Sequence, residues 1–434
     1  MRDRDTIYAL SSAAGRAGIA VLRVSGPQAG ATLETLSGEA LPPPRVASLR
    51  IFRDASGEID RGLALWFPGP ASFTGEDCAE FHAHGGRAVV EAMLTALAAQ
   101  PSLRPAEPGE FTRRAVENGK MDLTAAEALA DLIDAETQGQ RRQALRQYEG
   151  ALFVLYEDWR ARLIRASAWA EASIDFSDEE LPEGVLAETN TVLDKIAEEI
   201  QNHLRDSSSG ELVREGIHLT VIGLPNAGKS SLINALAKRD VAIVSEMPGT
   251  TRDVIEVRLD LGGYLVTAAD TAGLRASPDA IEQEGVRRAL ARAEEADLVL
   301  LLLDGSAPDT SLASLPKADL IIWNKADLPW PHPREGSRLS LKTGEGLSAL
   351  LETLTAKVKA LVVRQTDSPP LTRARHRHAL EEALAALRRA IQADESELMA
   401  EDIRLALRAL GRITGRVDIE DVLDVIFRDF CIGK

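Results

Sequence analysis

The alternation of hydrophobic and polar positions changes rhythm three times along the chain. Through about residue 118, short apolar runs ("TIYAL", "IAVLRVSG", "LALWFPG", "CAEFHAHGG") are separated by Gly/Pro turns, which predicts a compact α+β domain. From about 119 the period becomes helical. In "LTAAEALADLIDAET" the residues Leu123, Ala126, Leu129 and Ile133 fall on one stripe, and Thr124 with Glu127 reads as a capping box. Ala/Leu/Glu/Arg-rich segments continue to about 205, where "RDSSSGELVREG" reads as a polar linker. Beyond it, strand-like runs alternate with helical stretches, as in a parallel α/β sheet. A second linker, "VRQTDSPPL" (363–371), ends that region and the helical texture returns, with Ile419, Val422, Leu423, Ile426, Phe427 and Phe430 at helical spacing. The expected organisation is an N-terminal domain (1–118), a helical domain in two parts (119–212 and 368–434), and an α/β domain (213–367) inserted into the helical one.

Composition narrows the class. The chain has 434 residues, 45% of them apolar and 27% charged, and a formal net charge of −17. So acidic a surface repels phosphate backbones, so nucleic-acid contact has to come from a local basic patch or a basic partner. The best such patch in the sequence is "RARHRH" (373–378), with a solvated helix start as the alternative reading. Two cysteines, Cys78 and Cys431, are too few for a disulfide framework and fit a reducing cytosol. The start "MRDRDTIYAL" lacks the apolar core of a signal peptide, and "LVLLLL" is too short to span a bilayer, so a cytoplasmic protein with no membrane association is expected.

The chemistry sits in the α/β region. "HLTVIGLPNAGKSSLINAL" has the order strand, glycine-rich loop, helix, and Gly223-x-x-x-x-Gly228-Lys229-Ser230 fits the P-loop pattern. Backbone N–H groups through Asn226, Ala227, Gly228, Lys229, Ser230 and Ser231 would cradle phosphates, with Lys229 on the β/γ-phosphates and Ser230 on Mg²⁺. "LIIWNKAD" ends a strand with Asn324, Lys325, Ala326 and Asp327; such an Asp accepts from the guanine ring N–H and exocyclic amine, which adenine cannot match. "SLKTGEG" brings Ser340, Leu341 and Lys342 to the spacing of the loop that reaches the guanine O6, with Leu341 where alanine is more usual. The first switch segment is "VSEMPGTTRD", supplying Ser245, Glu246, Met247, Pro248, Gly249, Thr250 and Thr251, the last as second Mg²⁺ ligand. The other is "DTAGLR": Asp270 would hold the metal through water and the Gly273 N–H would meet the γ-phosphate, with Thr271 and Ala272 between. Leu274 stands where a water-orienting glutamine is usual.

These motifs, with "PGEFTRRA", "NGKMDL" and the terminal "CIGK", make the whole chain resemble the tRNA-uridine-modifying GTPases of the MnmE (TrmE) family. The resemblance implies that a potassium ion takes over part of the missing glutamine's task, held by Asn226, Ser245, Met247 and Thr250. It implies Glu282 as the acid that orients the attacking water through a second water, with Glu284 as a lesser competitor. It also implies a homodimer whose G domains pair, and a folate-binding N-terminal domain in which Arg23, Glu80, Lys120 and Lys434 contact a tetrahydrofolate derivative. Cys431 matches the family's candidate thiol. The partner implied is the FAD-dependent MnmG, which would carry the flavin and much of the tRNA affinity. The resulting activity would be GTP-driven modification of the wobble uridine of tRNA at C5, with methylene-tetrahydrofolate as one-carbon donor. Simpler readings stay open for individual residues: Asn226 as a loop cap, Glu282 on a solvated helix, the folate set as surface ion pairs, Cys431 as an inert contact, and His82 and His84 in strand or turn roles. A ribosome-assembly GTPase, a binding switch without modification chemistry, is the rival for the whole chain; folate binding separates the two.

Overall fold

The computed structural model describes residues 5–175, 185–205, 208–224, 226–239, 241–243, 256–270, 293–307, 317–331, 336–362 and 368–417, together with single positions between 423 and 433. The chain forms two compact units, one of residues 1–130, 148–172 and 400–434, the other of 131–147 and 173–399.

In the first unit, strands β1 (Thr6–Leu10), β2 (Ala20–Ser25), β3 (Ser48–Asp54), β4 (Gly57–Phe67), β5 (Cys78–Ala83) and β6 (Leu103–Pro105) make one sheet in the order β3-β4-β5-β2-β1-β6. Only the β1–β6 pairing is parallel. Helices α1 (Ala29–Ser37) and α2 (Arg87–Ala98) bury Leu33, Leu36, Met93 and Leu97 in one cluster with Phe52 and Phe81, whose rings meet edge to face at 5.4 Å. Helix α3 (Glu110–Glu117) follows the sheet, and then α4 (Leu123–Ile133). Here the capping box does not form. Asp122 caps α4 instead, its Oδ1 accepting from the N–H groups of Thr124 and Ala125, so Thr124 lies inside the first turn. Nor does the expected stripe hold to its end: residues 123–128 are all buried, whereas Ile133 is exposed. Leu123 and Ala126 instead join Leu423 and Phe427, two of the predicted C-terminal positions.

The second unit contains α5 (Gln138–Tyr148) up to Gln147, and most of its helices after α6 (Ala151–Asp175): α7 (Val185–Arg205), α8 (Ser208–Glu215), α9 (Lys229–Ala237), α10 (Leu347–Val362) and α11 (Ala374–Gln392). Helix α12 (Ser396–Thr414) follows α11. Its sheet, β12-β11-β10-β7-β9-β8, is built from β7 (Ile217–Ile222), β8 (Glu256–Asp260), β9 (Leu265–Asp270), β10 (Leu298–Asp304), β11 (Leu320–Asn324) and β12 (Ser337–Arg338). All pairings are parallel except β8–β9. The run "LVLLLL" is apolar at every position because β10 is covered on both faces: Leu298, Leu300 and Leu302 join one cluster, Val299, Leu301 and Leu303 another.

The expected polar linker at 205–216 is helical over Ser208–Glu215, where Leu212 and Val213 pack against the sheet's core. "RARHRH" is not a free basic patch either. Arg373 Nη2 pairs with Asp131 at 2.7 Å, Arg377 pairs with Glu211, and His376 is buried on the inner face of α11. The segment looked solvated because the acids that neutralise it are distant in sequence. No helix among the described residues is long and apolar enough to cross a membrane.

Candidate nucleotide site

Strand β7 delivers the chain into the loop ahead of α9. Gly228 adopts φ 102°, and a Cβ there would lie 2.5 Å from Asn324 Nδ2, so the position requires glycine twice over, for conformation and for space. Asn226 also turns left-handed at φ 62°, with its side chain exposed. Lys229 Nζ donates to the carbonyls of Gly223 (2.9 Å) and Leu224 (3.1 Å), which places the ammonium over the loop. Ser230 and Ser231 are exposed on the first turn of α9. The helix N-terminus and loop amides favour an anion at this place.

The loop expected to read the base is fastened to the glycine-rich loop. Asn324, 4% exposed at the end of β11, donates through Nδ2 to the carbonyl of buried Ala227 (2.8 Å), and its Oδ1 accepts from the Leu341 N–H (3.3 Å). One side chain thus joins three of the expected nucleotide-contacting segments. Asp327 Oδ1 accepts from Ser340 Oγ at 2.8 Å, and Lys342 Nζ lies 3.8 Å from Oδ2, so the carboxylate is oriented from one side. Ala326 N–H bonds to Leu339 O, which keeps the two loops in step. Leu341 packs against the sheet's core, which accounts for a larger apolar side chain where alanine is more usual. Lys325, at φ 65°, donates to Asp304 Oδ2 at 2.6 Å. Burial of Asp304 opposes its ionisation, but the bonds from Lys325 and Ser306 prevail and hold its carboxyl below the usual range. Neither Asp304 nor the clasp of Ser340 on Asp327 was found in the sequence; an Asp closing an apolar strand was the available signal for the first.

Of the remaining expected residues, Asp270 closes β9, paired with Val221 across the sheet. The positions Ser245 to Thr251, Thr271 to Gly273, Leu274 and Glu282 lie outside the described residues.

In the N-terminal sheet, Arg23 and Glu80 face each other on β2 and β5, and Arg23 Nε and Nη2 both donate to Glu80 Oε1 (3.0 and 2.9 Å). The guanidinium lies over Phe73 (5.1 Å) and Phe111 (5.7 Å). His82 Nε2 is 3.1 Å from Glu80 Oε2, whereas His84 Nδ1 meets Asp60 at 2.9 Å. Lys120 Nζ donates to Pro70 O at 3.0 Å. Lys434 and Cys431 lie outside the described residues. "PGEFTRRA" gains a structural meaning: buried Arg114 donates to Glu76 Oε2 (3.1 Å), Glu110 Oε1 (2.9 Å) and Asp5 Oδ1 (3.3 Å), and Arg104 joins Asp5 to Glu110.

Known proteins agree with this geometry. A family model for the MnmE helical domain matches residues 123–431, and one for the GTP-binding protein TrmE N-terminus matches 6–120. The tRNA modification GTPase MnmE of Parvibaculum lavamentivorans is 58% identical over 441 residues, covering 99% of this chain and 100% of that protein. The tRNA modification GTPase MnmE of Paramagnetospirillum magneticum is 55% identical over 441 residues with the same coverage. The chain belongs to the MnmE family of tRNA modification GTPases. Among solved structures, the G domain of the T. maritima FeoB iron transporter is 26% identical and covers 33% of this chain and 98% of its own. Its TM-score of 0.26 is too low to add to the argument. In this chain the TrmE-type N-terminus precedes the residues matched by the helical-domain model, and helices stand on both sides of the glycine-rich-loop sheet in sequence.

Proposed function

We propose that this chain is a potassium-dependent GTP hydrolase that acts with an FAD-dependent partner of the MnmG type. Together they would install carboxymethylaminomethyl or aminomethyl groups at C5 of the wobble uridine of tRNA, with methylene-tetrahydrofolate as one-carbon donor. It acts as a cytoplasmic homodimer whose G domains pair during the GTP cycle. The observation that carries the GTP half is the Asn324–Ala227 tie, which sets the guanine-reading Asp327 and the phosphate loop in one frame.

Each residue has a defined task. Asp327, oriented by Ser340, accepts from the guanine N–H edge; Lys229 turns from the loop carbonyls to the β/γ-phosphates. The exposed hydroxyl of Ser230 is a hard oxygen donor suited to Mg²⁺, with Thr251 as its counterpart. The amide oxygen of Asn226, exposed on its left-handed turn, suits K⁺, with Ser245, Met247 and Thr250 completing the set. The two cations, when bound, neutralise charge developing between the β- and γ-phosphates, a role worth roughly 10³–10⁵ in rate when an arginine performs it. Glu282 orients the attacking water, and Leu274 keeps the usual glutamine's place apolar. In the N-terminal domain, Glu80 suits the N–H edge of a pterin, while Arg23, Lys120 and Lys434 suit an anionic tail. Phe73 and Phe111, whose rings lie near the Arg23 guanidinium, favour a planar ring there.

The deciding experiment is steady-state GTP hydrolysis in KCl against NaCl at equal ionic strength, for the wild type and Glu282→Ala. Strong potassium stimulation, lost in the variant, is expected. Equal rates in both salts would overturn the cation assignment and make Arg252, in "VSEMPGTTRD", or Arg275, in "DTAGLR", the candidate for the missing catalytic group.

A further inference from the structure

The corner that closes β10 packs against the loop that follows β11. Asp304 is the register partner of Asn324 across these two strands, and the Gly305 N–H donates to Asn324 O at 2.9 Å. The contact is tight: a Cβ on Gly305 would come within 2.3–2.5 Å of the Trp330 ring. All of these residues belong to the second compact unit.

Lys325 is the residue on which this corner acts. Its backbone is left-handed at φ 65°, a conformation that an L side chain disfavours and that persists only where the surroundings hold it. Two bonds hold its carbonyl, from the Leu328 N–H (3.0 Å) and from Trp330 Nε1 (3.2 Å). The first of them closes a β-turn with Ala326 and Asp327 at its centre, so the backbone of Lys325 sets the direction in which Asp327 is presented. A third bond holds the side chain: Lys325 Nζ donates to Asp304 Oδ2 at 2.6 Å. Asp304 is itself fixed, because its Oδ1 accepts from the Ser306 N–H (2.9 Å) and from Ser306 Oγ (2.6 Å). With both carboxylate oxygens engaged, Asp304 gives the ammonium one place to sit.

We propose that Asp304 is a positioning residue for base recognition: by anchoring the Lys325 side chain it locks the turn that presents Asp327 to guanine. The proposal rests on the reading of Asp327 as the guanine acceptor. The action of Asp304 passes through Lys325 and needs no contact with the base. A purely structural ion pair is the rival, adding stability to the sheet without bearing on which base is preferred.

The test is the ratio of GDP to IDP affinity for the full chain, measured by displacement of a fluorescent guanine nucleotide. The proteins compared are the wild type, Asp304→Asn, Lys325→Ala and the double variant. IDP lacks the exocyclic amine that pairs with Asp327, so the ratio reports the aim of that carboxylate and is insensitive to the fraction of protein folded. Asp304→Asn keeps the shape and removes the charge. It is expected to lower the ratio by about fivefold, and to have no further effect once Lys325 is alanine. An unchanged ratio in Asp304→Asn, even with a lower melting temperature, overturns the proposal. So does a fall of the same size when Lys325 is already replaced. If Asp304→Asn does not fold, Ser306→Ala decides by the same ratio: a fall supports the proposal and an unchanged value overturns it. A wild type that binds GDP no better than IDP or ADP would instead defeat the reading of Asp327, and this proposal with it.

Discussion

Asn324 donates its side-chain amide to the backbone carbonyl of Ala227, 97 residues earlier in the chain, at 2.8 Å. The bond makes the loop proposed to read guanine and the glycine-rich loop one mechanical piece. Asn324→Ala leaves the Ala227 oxygen without this donor and the Leu341 N–H without its acceptor. An unsatisfied buried group costs about 1–3 kcal/mol. The expected result is a lower melting temperature and GDP affinity reduced at least tenfold, read by titration with a fluorescent nucleotide.

Ser340 orients Asp327 by one hydrogen bond, so Ser340→Ala should weaken GTP binding by about fivefold, the equivalent of about 1 kcal/mol. Asp327→Asn goes further. It replaces an acceptor by a donor at the guanine edge, so GTP affinity should collapse while xanthosine triphosphate gains. Competition between the two nucleotides measures it.

The Arg114 guanidinium is shared among three carboxylates and is 5% exposed. Arg114→Ala removes the buried cation that Glu76 and Glu110 share, and removing one member of a buried ionic set costs roughly 3–5 kcal/mol. Urea denaturation followed at the tryptophans should show an earlier transition for the N-terminal domain.

The same network sets an acid limit. A hydrogen bond from Arg104 is the main influence lowering the Asp5 carboxyl, and for Glu110 the resistance of burial is overcome by Arg104, Arg114 and the Glu107 N–H. Both folded-state values lie below the unfolded ones, which are about 3.9 and 4.3. The unfolded chain therefore binds these protons first. The stabilisation is present above about pH 5 and is lost as pH falls through the lowered values. Glu110→Gln should flatten the pH dependence of the urea midpoint between pH 5 and 3, while lowering stability at pH 7.

Gly139 tests the seat of the β8–β9 turn. Its N–H donates to Gly263 O at 2.7 Å, and a Cβ would come within 2.6 Å of that oxygen. Gly139→Ala should cost about 1–3 kcal/mol, visible as a lower melting temperature.

The nucleotide loops were legible in the sequence because each is local: a strand, a turn and a helix start carry the phosphate chemistry within a few residues. What joins them was not, since the Asn324–Ala227 and Ser340–Asp327 bonds depend on which strands become neighbours in the sheet. The same cause explains the misreadings. Thr124 looked like a cap because its spacing to Glu127 is right, yet Asp122 lies one residue before the helix and reaches the N–H groups first. "RARHRH" looked solvated because Asp131 and Glu211, which neutralise it, are far away in the chain. "PGEFTRRA" served as a family mark with no visible chemistry until Arg114 was found among its own Glu110 and carboxylates from two other segments, and Phe111 beneath Arg23.

Helix α5 also holds both ends of the stretch that contains the P-loop sheet. Gln140 and Gln143 donate to the carbonyls of Arg214 and Gly210 where that stretch begins, and Gln147 donates to Pro370 O where it finishes. In polymer terms, everything between is a ring drawn shut at one knot. Closing a ring costs entropy only as the logarithm of its contour length, so loops inside it can lengthen or shorten while the three glutamines keep the same grip.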